Sequence, residues 1–298
     1  MTSTGHMRTL QLPVKTAEMY GTFSPDRSLL LTGGDGADPT VHIWNVDSGN
    51  CRQILSGHRG SITALNWTRD QSVVASGSFD PCIRLWDVRS GQCIGVLEGH
   101  RSYVRSVEFS QSGQQLLSGG GDGVVRLWKV PSGKLLQAFH GHTDGVYHAV
   151  FDAGQTRVLS GGRDGEVRLW DVNTGRCLKI ICTADAHVHC LAWHADNRRF
   201  LTCGNDIRLW HSGTGECLRQ FRGHSGTIRS LAWSHDQRQI LSASHDRTLR
   251  IWETESGRCV QTIRGHEACA VNAVWTLDYQ SVLSCDSSGG LQFTSVAC

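Results

Sequence analysis

The chain of 298 residues is 39% hydrophobic and 19% charged, the proportions of a soluble globular protein. Its formal net charge of +2 supplies no whole-molecule attraction to nucleic acid or an anionic membrane, so any such preference has to come from a local patch. No apolar run approaches the ~18 residues a membrane helix needs, and the opening MTSTGHMRTLQLPVK lacks the apolar core of a signal peptide.

The first predicted element, residues 7–12, is a strand with nothing before it to pair with. Beyond it the chain falls into repeated units of short strands. The clearest unit starts at Gly99, with strands predicted over 103–109, 115–119, 124–129 and 135–139, each rich in Val, Leu and aromatics and bounded by polar turns. The Gly120-Gly121-Asp122-Gly123 turn is not a phosphate loop, because no Lys-Ser/Thr and no helix follow it. This unit opens on Gly-His and closes on Trp128. The closing position recurs as Trp44, Trp86, Trp128, Trp170, Trp210, Trp252 and then Phe293, at spacings of 42, 42, 42, 40, 42 and 41 residues.

A period of about 40–45 residues with these opening and closing pairs reads as four strands per propeller blade. On these residues the chain resembles the WD-repeat family, over nearly its whole length. The expected fold is an all-β, seven-bladed β-propeller of four-stranded antiparallel blades. The blades cover about 14–55, 58–97, 100–139, 142–181, 184–221, 224–263, and 266–297 completed by 7–12, as one domain over 1–298. The N-terminal strand then closes the ring and leaves no vacant edge.

Four blades carry His, Ser, Asp and Trp in matching phase: His58, Ser76, Asp80 and Trp86; His100, Ser118, Asp122 and Trp128; His142, Ser160, Asp164 and Trp170; His224, Ser242, Asp246 and Trp252. The resemblance implies a hydrogen-bonded chain from Trp through Ser and His to Asp. By type these are also hydrolase residues, but four copies in phase, each serine occupied by an indole, are structural. No catalytic residue, metal or cofactor is expected. Blade 1 has Val14-Lys15 in place of Gly-His, blade 5 has Thr183-Ala184, and blade 7 has Ser287 in the aspartate slot and Phe293 for tryptophan. The seam between blades 7 and 1 is therefore expected to open first.

The twelve cysteines are expected to be reduced, in a cytoplasmic protein. Cys51, Cys93, Cys177, Cys217 and Cys259 each follow a Ser/Thr-Gly-x turn and read as one small buried residue opening the outer strand. No C-x-x-C pair occurs, which argues against a zinc site. Asn66-Trp67-Thr68 fits a glycosylation sequon but falls in an inner strand. Arg84, Arg126, Arg168, Arg208 and Arg250, each two residues before the tryptophan, read as a structural position with packed stems and paired heads.

Function in propellers of this kind sits in the loops and rim. The resemblance implies a binding face around the central channel, to which blades 2 to 6 contribute Ser61, Thr63, Phe79, Tyr103, Arg105, Tyr147, Arg163, His187, His189, Arg229 and His245. This local excess of Arg, His and aromatics on a near-neutral chain suits a carboxylate or phosphate, so an acidic or phosphorylated peptide is the expected ligand. The two histidines at 187 and 189 lack a third ligand in any recognised metal pattern. The chain reads as a non-catalytic protein-interaction scaffold, a monomeric propeller within a larger assembly. Nucleic-acid binding through the same basic face, or a recognition domain excised from a larger protein, are the alternatives.

Overall fold

A computed structural model describes residues 7–13, 20–183 and 185–296; the departures expected at Val14, Lys15 and Ala184 lie outside these. The described residues form seven four-stranded antiparallel sheets arranged as a propeller. Within each blade the strands run a to d from the channel outward. In blade 3 these are Val104–Phe109, Gln115–Gly120, Val124–Lys129 and Lys134–His140. The innermost strands of the blades are Tyr20–Phe23, Ile62–Trp67, Val104–Phe109, Val146–Phe151, Cys190–Trp193, Ile228–Trp233 and Ala270–Trp275.

Burial is graded across each blade. Strand b is sandwiched between two neighbouring sheets and its apolar run is buried throughout, as in Leu29–Gly33. Strand d faces solvent and buries little beyond its last residue, as in Cys51–Leu55. Each core cluster spans two blades: Leu31, Val41 and Ile43 of blade 1 pack with Ile62, Val74 and Trp86 of blade 2. Fully burying such side chains stabilises by roughly 1.5–3 kcal/mol each, so the contacts between blades hold the ring. Glycine on strand b permits the approach. A Cβ on Gly33, Gly77, Gly119 or Gly161 would come within 2.5–2.7 Å of the β-branched residue opening strand a of the next blade.

Inner strands are also stitched across blades by side chains that accept backbone N–H groups. Asn66 Oδ1 takes the Phe109 N–H (3.1 Å), and Glu108, at the same place one blade on, takes that of Phe151 through Oε2 (2.9 Å). Asn66 thus serves the blade contact as part of strand a.

The ring closes as expected. Strand Met7–Gln11 pairs with Gly290–Ser295, from Met7 opposite Thr294 to Gln11 opposite Gly290. Leu12 packs with Leu30 and Trp44 of blade 1 and Leu283 of blade 7, so the N-terminal segment welds both sides of the seam.

Two cysteine expectations are overturned. Cys51, Cys93, Cys177 and Cys217 are exposed and Cys259 half-buried, because strand d has no further strand outside it. The Cys93 thiol donates to the Gly95 carbonyl (3.4 Å) and packs into no core. Nor are the cysteines all reduced. Cys190 and Cys203, direct partners on strands a and b of blade 5 with Cα atoms 5.2 Å apart, form a disulfide.

Candidate functional site at the channel mouth

The loops around the channel are fixed from below by the tryptophan networks. In blade 2 the Trp86 indole N–H donates to Ser76 Oγ (2.7 Å) and the Ser76 hydroxyl donates to His58 Nε2 (2.7 Å). His58 Nδ1–H donates to the Asp80 carboxylate (2.9 Å), which also accepts the Arg59 N–H (2.8 Å). The same chain links Trp128, Ser118, His100 and Asp122, Trp170, Ser160, His142 and Asp164, and Trp252, Ser242, His224 and Asp246. Burial lowers the proton affinity of His58, His100 and His224. Each of these imidazoles is thus neutral, its one N–H faces the carboxylate, and its other nitrogen must accept. The oxygens of Ser76, Ser118, Ser160 and Ser242 are each engaged by an indole N–H, so none of these four is an available nucleophile.

Blade 7 differs from the sequence expectation. His266 Nδ1–H donates to Asp286 (2.9 Å) and Ser284 reaches His266 Nε2 (2.8 Å), so the carboxylate comes from Asp286 at the end of strand b, and not from the Ser287 position. Threonine replaces serine where histidine is missing: Thr32 accepts from Trp44 (2.6 Å) and Thr202 from Trp210 (2.9 Å). Of the strand-c arginines, Arg126 pairs with Asp122 (2.8 Å), Arg168 with Glu166 (2.7 Å) and Arg208 with Asp185. Arg84 and Arg250 form no ion pair among the described residues and reach the thiols of Cys93 and Cys259, at 3.7 and 3.9 Å. His142, Asp164 and Glu166 come together at metal-like distances, but each is already engaged, by Ser160, His142 and Arg168 respectively.

Above these networks, strand a carries a β-bulge in five blades, where the register shifts across Thr63, Arg105, Tyr147, Arg229 and Val271. A bulged residue leaves the ladder and its side chain is re-aimed. In blade 5 His189 holds the corresponding place just before Cys190–Trp193, its N–H donating to the Cys203 carbonyl (2.7 Å). Tyr20 opens the inner strand of blade 1. These seven residues, one per blade, line the channel.

They form a cation–aromatic cluster. The Arg105 guanidinium carbon lies 4.6 Å from the centre of the Tyr20 ring and 5.4 Å from that of Tyr147, and Arg229 lies 5.3 Å from Tyr20. Tyr147 stacks on His189 at 5.1 Å and 13°, and His187 meets Tyr147 edge-on at 6.0 Å while donating from Nδ1 to the Arg163 carbonyl (3.0 Å). Against this cluster is a cavity of about 240 Å³ lined by Tyr20, Thr63, Phe79, Tyr103, Arg105, Tyr147, His189 and Arg229, together with Ser61 and Asp35. Phe79, 56% exposed, packs on Tyr103 at 5.1 Å and makes an apolar ledge. Three of the sequence-predicted residues, Arg163, His245 and His187 (which packs beside the cavity on Tyr147), do not line it. Arg163 is exposed and faces Asp144 (3.6 Å), and His245 is exposed on the turn after strand b of blade 6.

Electrostatically the cluster is one-signed. Burial, followed by the Arg229 and Arg105 charges, pushes His189 down to about 4, and burial with Arg105 does the same to His148. Burial also lowers the proton affinity of Arg105, although a guanidinium stays charged. Among the described residues no carboxylate pairs with Arg105 or Arg229. Arg105 reaches only the Thr63 carbonyl (3.4 Å), and Asp35 accepts the N–H of Ala37 in its own loop (2.9 Å). Sequence reasoning missed Tyr20, because the Gly-His pair that sets the frame elsewhere is absent before it, and Val271, which carries no polar signal.

A model of the WD domain, G-beta repeat family matches residues 2–45, 49–87, 91–129, 133–171, 175–211 and 215–253. The chain belongs to the WD-repeat family. Among curated relatives, it is 42% identical over 57 residues to Periodic tryptophan protein 2 of Arabidopsis thaliana, covering 19% of this chain and 6% of that protein. It is 37% identical over 67 residues to the Periodic tryptophan protein 2 homolog of Caenorhabditis elegans, covering 22% and 7%. It is 41% identical over 59 residues to Protein Atg16l2 of Mus musculus, covering 19% and 9%. These matches span less than a tenth of each relative's own length. WD-repeat propellers are in general interaction scaffolds. Among the described residues no helix is long and apolar enough to cross a membrane.

Proposed function

We propose that this WD-repeat propeller is a non-catalytic recognition module that binds an acidic or phosphorylated segment of a partner protein on the face around its channel. The observation that carries this reading is the pair Arg105 and Arg229, held against Tyr20 with no carboxylate partner among the described residues. Arg and aromatic residues in a desolvated pocket are the usual energetic centre of an interface. The exposed free thiols of Cys93, Cys177, Cys182 and Cys217 support a reducing, cytoplasmic setting, in which the disulfide of Cys190 and Cys203, both buried, is shielded.

The test is affinity capture from lysate with wild type and with an Arg105→Glu, Arg229→Glu variant of matched melting temperature. Partners retained by wild type and lost by the variant support the reading. The same partners on both baits would move the binding face elsewhere on the ring. Recovery of nucleic acid alone, with steep loss in salt, would favour the nucleic-acid alternative.

A further inference from the structure

We infer that the partner segment is anchored by one anionic group seated between Arg105 and Arg229 above the Tyr20 ring, with a neighbouring apolar side chain lying on the Phe79–Tyr103 ledge. This deepens the function proposed above and rests on it.

The two guanidiniums are positioned by ring contacts, Arg105 against Tyr20 and Tyr147 and Arg229 against Tyr20. A guanidinium carries five N–H donors, and a ring contact supplies no lone-pair acceptor for them. Of these donors, Arg105 commits one long bond to the Thr63 carbonyl (3.4 Å). Two like charges on one tyrosine in a poorly hydrated site repel each other, and an anion between them turns that repulsion into two attractions. His189 Nδ1 is a second, independent sign of a missing partner, since it is buried at the same cluster without a hydrogen-bond partner among the described residues. Buried polar atoms left unpaired are rare.

The surroundings limit the ligand to one anion. Asp35 lines the cavity and Asp144 faces the exposed Arg163, so a run of acidic residues would meet these carboxylates. The cavity of about 240 Å³ is below the usual range of about 300–1,000 Å³ for small-molecule pockets, and suits a side-chain head rather than a nucleotide. A cationic side chain seated there would meet the like charges of Arg105 and Arg229. Carboxylate and phosphate share the required chemistry.

The test is selection of a displayed random octapeptide library on the full chain and on its Arg105→Gln, Arg229→Gln and Phe79→Ser variants. Calorimetry then follows on a selected peptide with its acidic position as Asp, Asn or phosphoserine. The expected result is one enriched acidic position with an apolar residue within two places of it. Asp→Asn in the peptide, or either arginine variant, then weakens binding about ten- to hundredfold. The Asp and phosphoserine peptides report which anion is preferred. Two separate arginine variants keep the test decisive should one of them unfold. Peptides without an acidic position that ignore both arginine variants but lose affinity with Phe79→Ser would overturn the anion anchor and leave the binding face intact. Peptides indifferent to all three variants, or no enrichment at all, would overturn the face as well.

Discussion

Arg105, the bulged residue of blade 3, and Tyr20, the first residue of the inner strand of blade 1, meet across the channel with the guanidinium carbon 4.6 Å from the ring centre. The contact ties two blades that share no sheet edge and holds a charge where solvent is scarce. It makes Tyr20 the platform of the candidate site. Tyr20→Ala should cost about 1–3 kcal/mol and abolish binding to any ligand of this face, whereas Tyr20→Phe should preserve both. Urea unfolding of the two variants checks this.

The tryptophan networks predict non-additive losses. Ser118→Ala strands the Trp128 indole N–H and the His100 Nε2 acceptor, at about 1–3 kcal/mol for each orphaned group. Trp128→Phe removes the indole N–H, so in the double variant the losses should sum to less than the singles. A double-mutant cycle by denaturant unfolding decides, and additive losses would contradict the shared network.

Glu108 predicts a pH dependence of stability. Burial between blades raises its pKa from 4.5 to about 8. The folded chain therefore keeps a proton that the unfolded chain sheds above about 4.5. Its contribution is complete below that pH and is lost as pH rises toward about 8. Glu108→Gln keeps an acceptor for the Phe151 N–H, as Asn66 does for Phe109. It should be within about 1 kcal/mol of wild type at pH 5 and more stable than wild type by roughly 3–4 kcal/mol at pH 8. Melting temperatures at both pH values test this.

The disulfide should be selective. Alkylation of the native protein followed by mass spectrometry should modify Cys93, Cys177 and Cys217 and spare Cys190 and Cys203. The bond closes a separation of 13 residues, so its reduction should lower stability by about 2–3 kcal/mol, read as a lower urea midpoint in reductant.

The seam should exchange first. Blade 7 is completed by a strand from the far end of the chain and has Phe293 where other blades have a bonded tryptophan, even though Asp286 completes its histidine pair. Amide exchange in Gly290–Ser295 should be faster than in Val124–Lys129. The reverse order would show that the packing of Leu12 outweighs the missing indole.

Fold and closure were readable because they rest on periodic signals: six tryptophans in phase, and a first strand without a partner. The candidate site was readable where it follows the frame, as at Arg105, Tyr147, His189 and Arg229. It was unreadable at Tyr20, where the frame mark is missing, and at Arg163, whose pairing with Asp144 depends on loop geometry. The cysteines failed for a different reason. Composition reports a small apolar residue, but whether it packs depends on which strand is outermost, and whether two sulfurs join depends on cross-strand register.

The bulges carry a consequence for how such a ring can change its ligand. At Thr63, Arg105, Tyr147, Arg229 and Val271 the side chain is presented by a residue that stands outside the pairing ladder. At Arg105, Tyr147 and Arg229 exchanging it leaves the ladder pairing intact, whereas Thr63 donates to the Val104 carbonyl of the next blade and Val271 packs against the seam core. Recognition chemistry can therefore be rewritten one blade at a time at the first three, and a library randomised there would explore new specificities on an unaltered frame.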